Sequence, residues 1–326
     1  MNKYIRNLLY LTIPLSFFII LLLYLTNAQK RSIKILFAGD MMLDRGTRKV
    51  IEKRGIDYLF EDIHNLFKDQ DIIVVNLEGT VCDTGLTPTP KAYNFMIDKA
   101  WLTSFSSHKI THVCLANNHS IDFGKEGLQQ TYNYLIQNKV TPIGYHHHQN
   151  PCEPIIIKRN GIQLAMFSSS FLYEKEESGI CHESGKELAE RIRLFKIHHP
   201  EVHIVLCLHW GIEMSPTPEK EQQEQAHAFI NAGADLIIGH HPHVVQTIEQ
   251  YKGKWIFYSL GNFIFDTNNI LSNRGIFTCF SVSKDHIELT ETIPFFIRNS
   301  KPFLMNKKDA DHFFNKLNST SAAFIE

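Results

Sequence analysis

The sequence predicts a layered α/β fold, and three observations carry that prediction. Short apolar runs alternate with stretches of helical periodicity, the runs are continuous rather than alternating, and most end in Gly, Asn, Asp or His. Continuous Val/Ile/Leu runs separated by helices indicate strands buried on both faces, as in sheets covered by helices. IKILFAG (33–39), DIIVVNLE (71–78), THVCLAN (111–117), IQLAMFS (162–168), HIVLCLHW (203–210), DLIIGH (235–240) and KWIFYSLGN (254–262) read as strands. Between them, DYLFEDIHNLFKDQ (57–70), KEGLQQTYNYLIQNK (125–139) and KEQQEQAHAFINAG (220–233) place apolar residues at helical spacing. Segment 276–292 alternates apolar and polar residues and predicts an antiparallel hairpin turning at Lys284-Asp285. No repeat, low-complexity tract or linker divides 30–326, which therefore reads as one domain.

Composition is that of a globular chain, with 44% hydrophobic and 21% charged residues over 326 positions, enough to bury a large core. Lys+Arg 33 against Asp+Glu 34 leaves no basic excess, so nucleic acid is not an expected partner. The first 29 residues differ. Lys3 and Arg6 precede LLYLTIPLSFFIILLLYL (8–25), and no further charge occurs before Lys30. About 18 apolar residues suffice to span a bilayer as a helix, and such helices tolerate a proline like Pro14. The length favours an uncleaved transmembrane anchor with a short cytoplasmic stub. The small residues of Thr26-Asn27-Ala28 fit the other reading, a cleaved signal peptide. Either way the domain from about residue 30 onward is expected outside the cytoplasm, at the membrane.

Six cysteines form no CxxC pair, which argues against a thiolate metal site. Cys114 and Cys207 sit in strand-like runs and read as buried thiols, whereas Cys152 and Cys181 lie in loop-like sequence and are the expected bridge.

The residues that end the strands carry the chemistry. The first run ends in Gly39-Asp40, the second in Asn76-Leu77-Glu78, the third in Asn117-Asn118-His119. The later ones end in His209-Trp210-Gly211, in Gly239-His240-His241-Pro242-His243, and in Gly261-Asn262. In layered α/β folds the carboxyl ends of strands gather along one edge, where sites assemble. Asp, Glu, Asn and His are hard or borderline ligands, suited to zinc, manganese or iron. An isolated His209 would more often be a hydrogen-bonded core residue; the convergence of strand ends makes it a candidate ligand.

FAGDMMLDR (37–45), VVNLEGTV (74–81), CLANNHSIDFGKEGLQQT (114–131), LHWGIE (208–213), GADLIIGHHPHVVQ (233–246) and YSLGNFIFD (258–266) occur in that order. On these motifs the chain resembles the bacterial capsule-synthesis CapA family, which looks like a branch of the calcineurin-like metallophosphoesterases. The resemblance implies an α/β/β/α sandwich, an N-terminal membrane segment and two divalent metal ions. It also implies a part in making or exporting a capsular polymer such as poly-γ-glutamate. Membrane, an anionic polymer or phosphoester substrate, and subunits of a capsule-synthesis complex are the implied partners. Carried over by motif, Asp40 is the first-strand carboxylate, Glu78 the bridging one, and Asn118 and His209 further ligands. His241 and His243 bind from the last turn, with His240 an alternative to His241.

Two positions depart from the phosphoesterase pattern. Met41 and Met42 follow Asp40 where a histidine is expected two residues on, and Glu78 stands where the bridge is Asp. Asp44 either fills the missing position or begins a helix at 44–54. His119 is implied to face the substrate and protonate a leaving oxygen. Asp122 either orients His119 or caps the helix before Gly124. Arg45 is a candidate for binding substrate anions, against a surface role. Asn262 and Asp266 either line the same edge or serve the Gly261-Asn262 turn. His146-His147-His148 reads as an exposed loop, and Asn118-His119-Ser120 as a chance glycosylation pattern. No G-x-S-x-G elbow or phosphate-binding GK[ST] loop is present, which leaves a metal-dependent hydrolase as the enzymatic reading. The rival is a non-catalytic assembly factor that uses a degraded site to hold a polymer or a partner.

Overall fold

The computed structural model describes residues 32–145, 150–172 and 179–322. The apolar span at 8–25 and the run His146 to His148 lie outside the described residues. Among the described residues no helix is long and apolar enough to cross a membrane.

In chain order the strands are β1 (Ile33–Met41), β2 (Ile72–Leu77), β3 (Thr80–Val81), β4 (Met96–Ile97), β5 (His112–Cys114), β6 (Thr141–Ile143), β7 (Ile155–Arg159) and β8 (Ile162–Ser170). There follow β9 (His203–His209), β10 (Leu236–His240), β11 (Ile248–Tyr251), β12 (Lys254–Phe257), β13 (Asn262–Ile264), β14 (Arg274–Val282), β15 (Ile287–Arg298) and β16 (Lys301–Leu304). One mixed sheet has the order β16-β15-β14-β1-β2-β5-β6, with β13 paired to the end of β1. The second has the order β11-β12-β10-β9-β8-β7, and β3 pairs with β4 alone. β1, β2, β5 and β6 run parallel, as do β8, β9, β10 and β12. β14 and β15 form the predicted hairpin.

Side chains alternate across each sheet and so build three cores. On β1, Ile33, Ile35 and Phe37 enter a cluster with Val205 and Cys207 of β9, between the sheets. Leu36 and Ala38 face the other way, onto Leu128 and Leu135 of the helix Gly124–Gln137. Ile204, Leu206 and Leu208 of β9 likewise meet Leu188 and Ile192 of the helix Gly185–His198, and Phe229 of the helix Lys220–Ala232. Both central strands are therefore apolar on both faces, which is why they read as unbroken hydrophobic runs.

Two sequence expectations shift in detail, and the cysteine expectation does not. The strand expected at 111–117 keeps only His112–Cys114, because Asn117 turns back and its amide bonds Leu115 O at 2.9 Å. The helix expected at 57–70 is a 3-10 turn, Ile56–Ile63, followed by a short α-helix, His64–Lys68. Among its buried residues Phe60, Ile63 and Phe67 are spaced by three and then four, and both windings serve such spacing. Cys152 and Cys181 are joined, with Cα atoms 4.7 Å apart, and Cys114 and Cys207 are buried free thiols.

Candidate metal centre

Two glycines allow the strand ends to meet. A Cβ on Gly39 would lie 1.8 Å from Gly261 O, and one on Gly239 would lie 2.0 Å from Tyr258 O. Without side chains there, β1 closes on β13, the Asp40 amide bonds Gly261 O at 3.0 Å, and Asp40 aligns with both Asn262 and Asn76. In the second sheet His240 aligns with His209.

Around this edge Asp40 and Glu78 are fully buried, and His209 nearly so. Asn76 Nδ2 donates to Asp40 Oδ1 at 2.8 Å. Asp40, Glu78 and His243 present ligand atoms within 4.8 Å of one another, and so do Glu213, His241 and His243. His209 Nε2 is 2.9 Å from Asn118 Oδ1 and 3.6 Å from Glu78 Oε1. Glu78 Oε2 and His241 Nδ1 are buried without a hydrogen-bond partner. Such orphans cost about 1–3 kcal/mol each unless a ligand satisfies them. Two of them in a cluster of carboxylate and imidazole donors fit a divalent cation of the manganese, zinc or iron kind.

The electrostatics point the same way. Burial, reinforced by Asp40, Glu213 and Asp122 and opposed by His243, pushes the Glu78 carboxyl well above its usual range. Burial would also raise Asp40, but the hydrogen bond and charge of His243, with His240 and Asn76, hold it below. Burial works against charge on His243, yet Glu78 and Asp40 push its imidazole up to about 10. Burial and then the neighbouring imidazoles lower His209, and they push His241 down to about 4. Asp40 and Glu78 thus draw positive charge toward His243, the kind of charge a bound cation supplies.

The structure separates His240 from His241. His240 Nε2 lies 3.3 Å from Ala38 O, turned to the backbone of β1. His241 sits 4.9 Å from the His209 ring, and its amide donates to Asp40 Oδ2 at 3.3 Å. Its φ of 97° and that of His243, 58°, are left-handed values that side chains beyond glycine adopt only under constraint.

His119 stands beside this cluster. Its Nδ1 is 2.9 Å from Asp122 Oδ2, and its ring stacks on Phe95 at 4.1 Å. Asp122 is fully buried, accepts the Phe95 amide at 2.6 Å and pairs with Lys91. Phe123, with no side-chain bond, occupies the cap of the following helix, so Asp122 orients His119 and is not the helix cap. Burial lowers the His119 imidazole, an effect its bond to Asp122 opposes.

The structure places four further residues. Asp44 begins a helix: Oδ1 takes the Arg45 amide and Arg48 Nε, each at 2.8 Å, and Oδ2 takes the Met96 amide at 2.8 Å. Met42 is buried with Phe95 and Phe265. Asn262 was a candidate for substrate contact, but it is buried behind His243. Its Oδ1 is 2.9 Å from His243 Nδ1, and its Nδ2 donates to His243 O and Ser272 O, so it positions that ring instead. Arg45 pairs with Asp266 at the rim and lies over Phe95, 5.3 Å from the ring centre. Sequence reasoning passed over Asn117, which ties the site together. Its Nδ2 donates to Asn76 Oδ1 at 3.1 Å and its Oδ1 accepts the His119 amide at 3.0 Å. It also passed over Lys91 and Phe95, which lie in a loop before the two-residue β4 with no periodic signal.

The chain is similar to the PGA biosynthesis protein CapA of Bacillus subtilis (strain 168), with 29% identity over 280 residues covering 83% of this chain and 73% of that protein. It is similar also to the capsule biosynthesis protein CapA of Bacillus anthracis, with 26% identity over 290 residues covering 85% and 70%. A novel phosphatase of Mycoplasma pneumoniae aligns with a TM-score of 0.54 at 14% identity, over 81% of this chain and 94% of that one, a likeness of fold. The bacterial capsule synthesis protein PGA_cap family matches residues 34–267, a span that holds Asp40, Glu78, Asn118, His209, His241 and His243. The chain belongs to that family.

Proposed function

We propose that the chain is a metal-dependent hydrolase of the phosphoesterase type, serving the synthesis or export of a capsular polymer of the poly-γ-glutamate kind. The observation that carries this reading is the His119–Asp122 pair, held at 2.9 Å against a buried cluster of carboxylates and imidazoles. The two sheets with helical layers outside them agree with an α/β/β/α sandwich of the calcineurin-like type. In this reading Asp40, Glu78 and His243 would hold one divalent ion, and Glu78, Asn118, His209 and His241 would hold a second. Bound manganese, zinc or iron supplies Lewis acidity and charge neutralisation at a phosphoryl group. His119, with Nδ1 fixed by Asp122, keeps Nε2 free to hold a proton for a departing oxygen. Phe95 keeps the ring in plane, and Lys91 balances the charge of Asp122. Arg45, partly exposed and braced by Asp266, offers positive charge to an anionic substrate. The apolar span at 8–25 and the likeness to CapA support a place at the outer face of the membrane, beside other capsule-synthesis subunits.

The test is hydrolysis of a phosphodiester by the metal-reconstituted full chain. His119→Ala is expected to retain metal and to lose about 100-fold or more in turnover. Unchanged turnover in that variant removes His119 from the chemistry. Undiminished polymer production in cells carrying Asp40→Ala with Glu78→Ala would instead assign the protein an assembly role.

A further inference from the structure

Asp40, Glu78 and His243 offer three donors to an ion, whereas zinc takes about four and manganese more. The neighbours of Asp40 in the chain do not complete the set. Met42 is enclosed by Phe95 and Phe265, and both oxygens of Asp44 are engaged at the helix start. A further carboxylate lies nearby on a different strand end. Glu213 follows β9 by four residues, and its ligand atom falls within 4.8 Å of those of His241 and His243.

That approach is built into the backbone. Gly211 turns the chain at φ 85°, and Met214 takes φ 62° while its amide donates to Pro242 O at 2.8 Å. The loop after β9 is thereby stitched to the His241-Pro242-His243 loop after β10. Gln246, fully buried, fastens the same loop from the other side, its Nε2 donating to Ser215 O at 3.0 Å and Thr217 O at 3.1 Å. Glu213 itself is exposed, so it stands on the solvent side of the buried His241, whose Nδ1 has no protein partner. A carboxylate within 4.8 Å of two imidazoles, one of which also carries an orphaned buried nitrogen, is an arrangement that a shared cation explains.

We propose that Glu213 is a metal ligand of this centre, closing its solvent side and adding an oxygen donor beside His241 and His243. The proposal rests on the metal-centre reading given above and adds a ligand to it. The experiment strips the full chain with a chelator and titrates it with Mn²⁺ by calorimetry, with elemental analysis of metal retained after dialysis. Glu213→Gln is expected to abolish one binding event or weaken it by about 100-fold, since losing even a supporting residue costs about 10–100-fold. Glu213→Asp, one methylene shorter, is expected to weaken the same event. Glu224→Gln, an exposed charge on the helix Lys220–Ala232, is expected to leave both events unchanged. Unaltered stoichiometry and affinity in Glu213→Gln overturn the proposal while the metal centre stands. Equal weakening by Glu224→Gln overturns it in favour of overall charge. A wild-type chain that retains no metal removes the centre and the proposal together.

Discussion

The substitution Gly39→Ala isolates the geometry on which the site depends. A Cβ at residue 39 would sit 1.8 Å from Gly261 O, so β1 and β13 must part by about 1.2 Å before the contact reaches 3.0 Å. Parting them breaks the 3.0 Å bond from the Asp40 amide to Gly261 O and separates Asp40 from its register partner Asn262. Forcing an extra methyl into a packed interior costs about 1–3 kcal/mol. Losing a backbone bond adds about 1 kcal/mol. The expected result is a destabilisation of about 2–4 kcal/mol in urea unfolding, with weakened Mn²⁺ binding, because Asp40 and His243 move apart with the strands. Gly185→Ala serves as the comparison, since its backbone is not left-handed and a Cβ there meets only the flexible Gln225 side chain, 3.1 Å away. A Gly39→Ala protein with wild-type stability and metal affinity would refute the claim that close approach of these strands assembles the site.

Three further outcomes follow from particular residues. Asp122→Asn keeps the shape of the buried group but removes the charge that His119 and Lys91 meet. It is expected to retain metal and lose about 100-fold or more in turnover, and an unchanged rate would make Asp122 a structural residue only. Burial pushes His112 down to about 4, so folding excludes a proton that the unfolded chain binds below about 6.5. Its contribution is constant above that pH and declines by roughly 3 kcal/mol as pH falls to about 4. His112→Gln should therefore show a flatter loss of stability than wild type in urea melts between pH 7 and 4.5, and parallel curves would contradict the assignment. Phe277 stacks on Phe295 at 4.4 Å and meets Phe263 at 5.4 Å, so Phe277→Ala should cost about 3–5 kcal/mol, and a loss under about 1 kcal/mol would deny it a central packing role.

Much of this architecture was legible because buried parallel strands must be apolar on both faces, and a polar residue after such a run marks a strand end. Asp40, Glu78, Asn118, His209 and His241 all announce themselves that way. His240 and His241 read alike in the sequence and differ in the fold. His240 still belongs to β10 and turns to the backbone of β1, whereas the left-handed φ of His241 swings the next imidazole into the site. Lys91 and Phe95 were silent because a two-residue strand leaves no periodicity. Glu213 was silent because its place depends on a backbone bond between two loops, from Met214 to Pro242. Asn262 read equally well as an edge or a turn residue, since a polar residue beside a glycine reads the same whether it lines a cleft or braces another side chain from behind.

Metal content is the most direct measure of the central claim. After removal of metal and incubation with manganese or zinc, the dialysed chain is expected to retain about two ions per molecule, and Asp40→Ala with Glu78→Ala is expected to retain none. A folded wild-type chain that retains no ion would contradict the account.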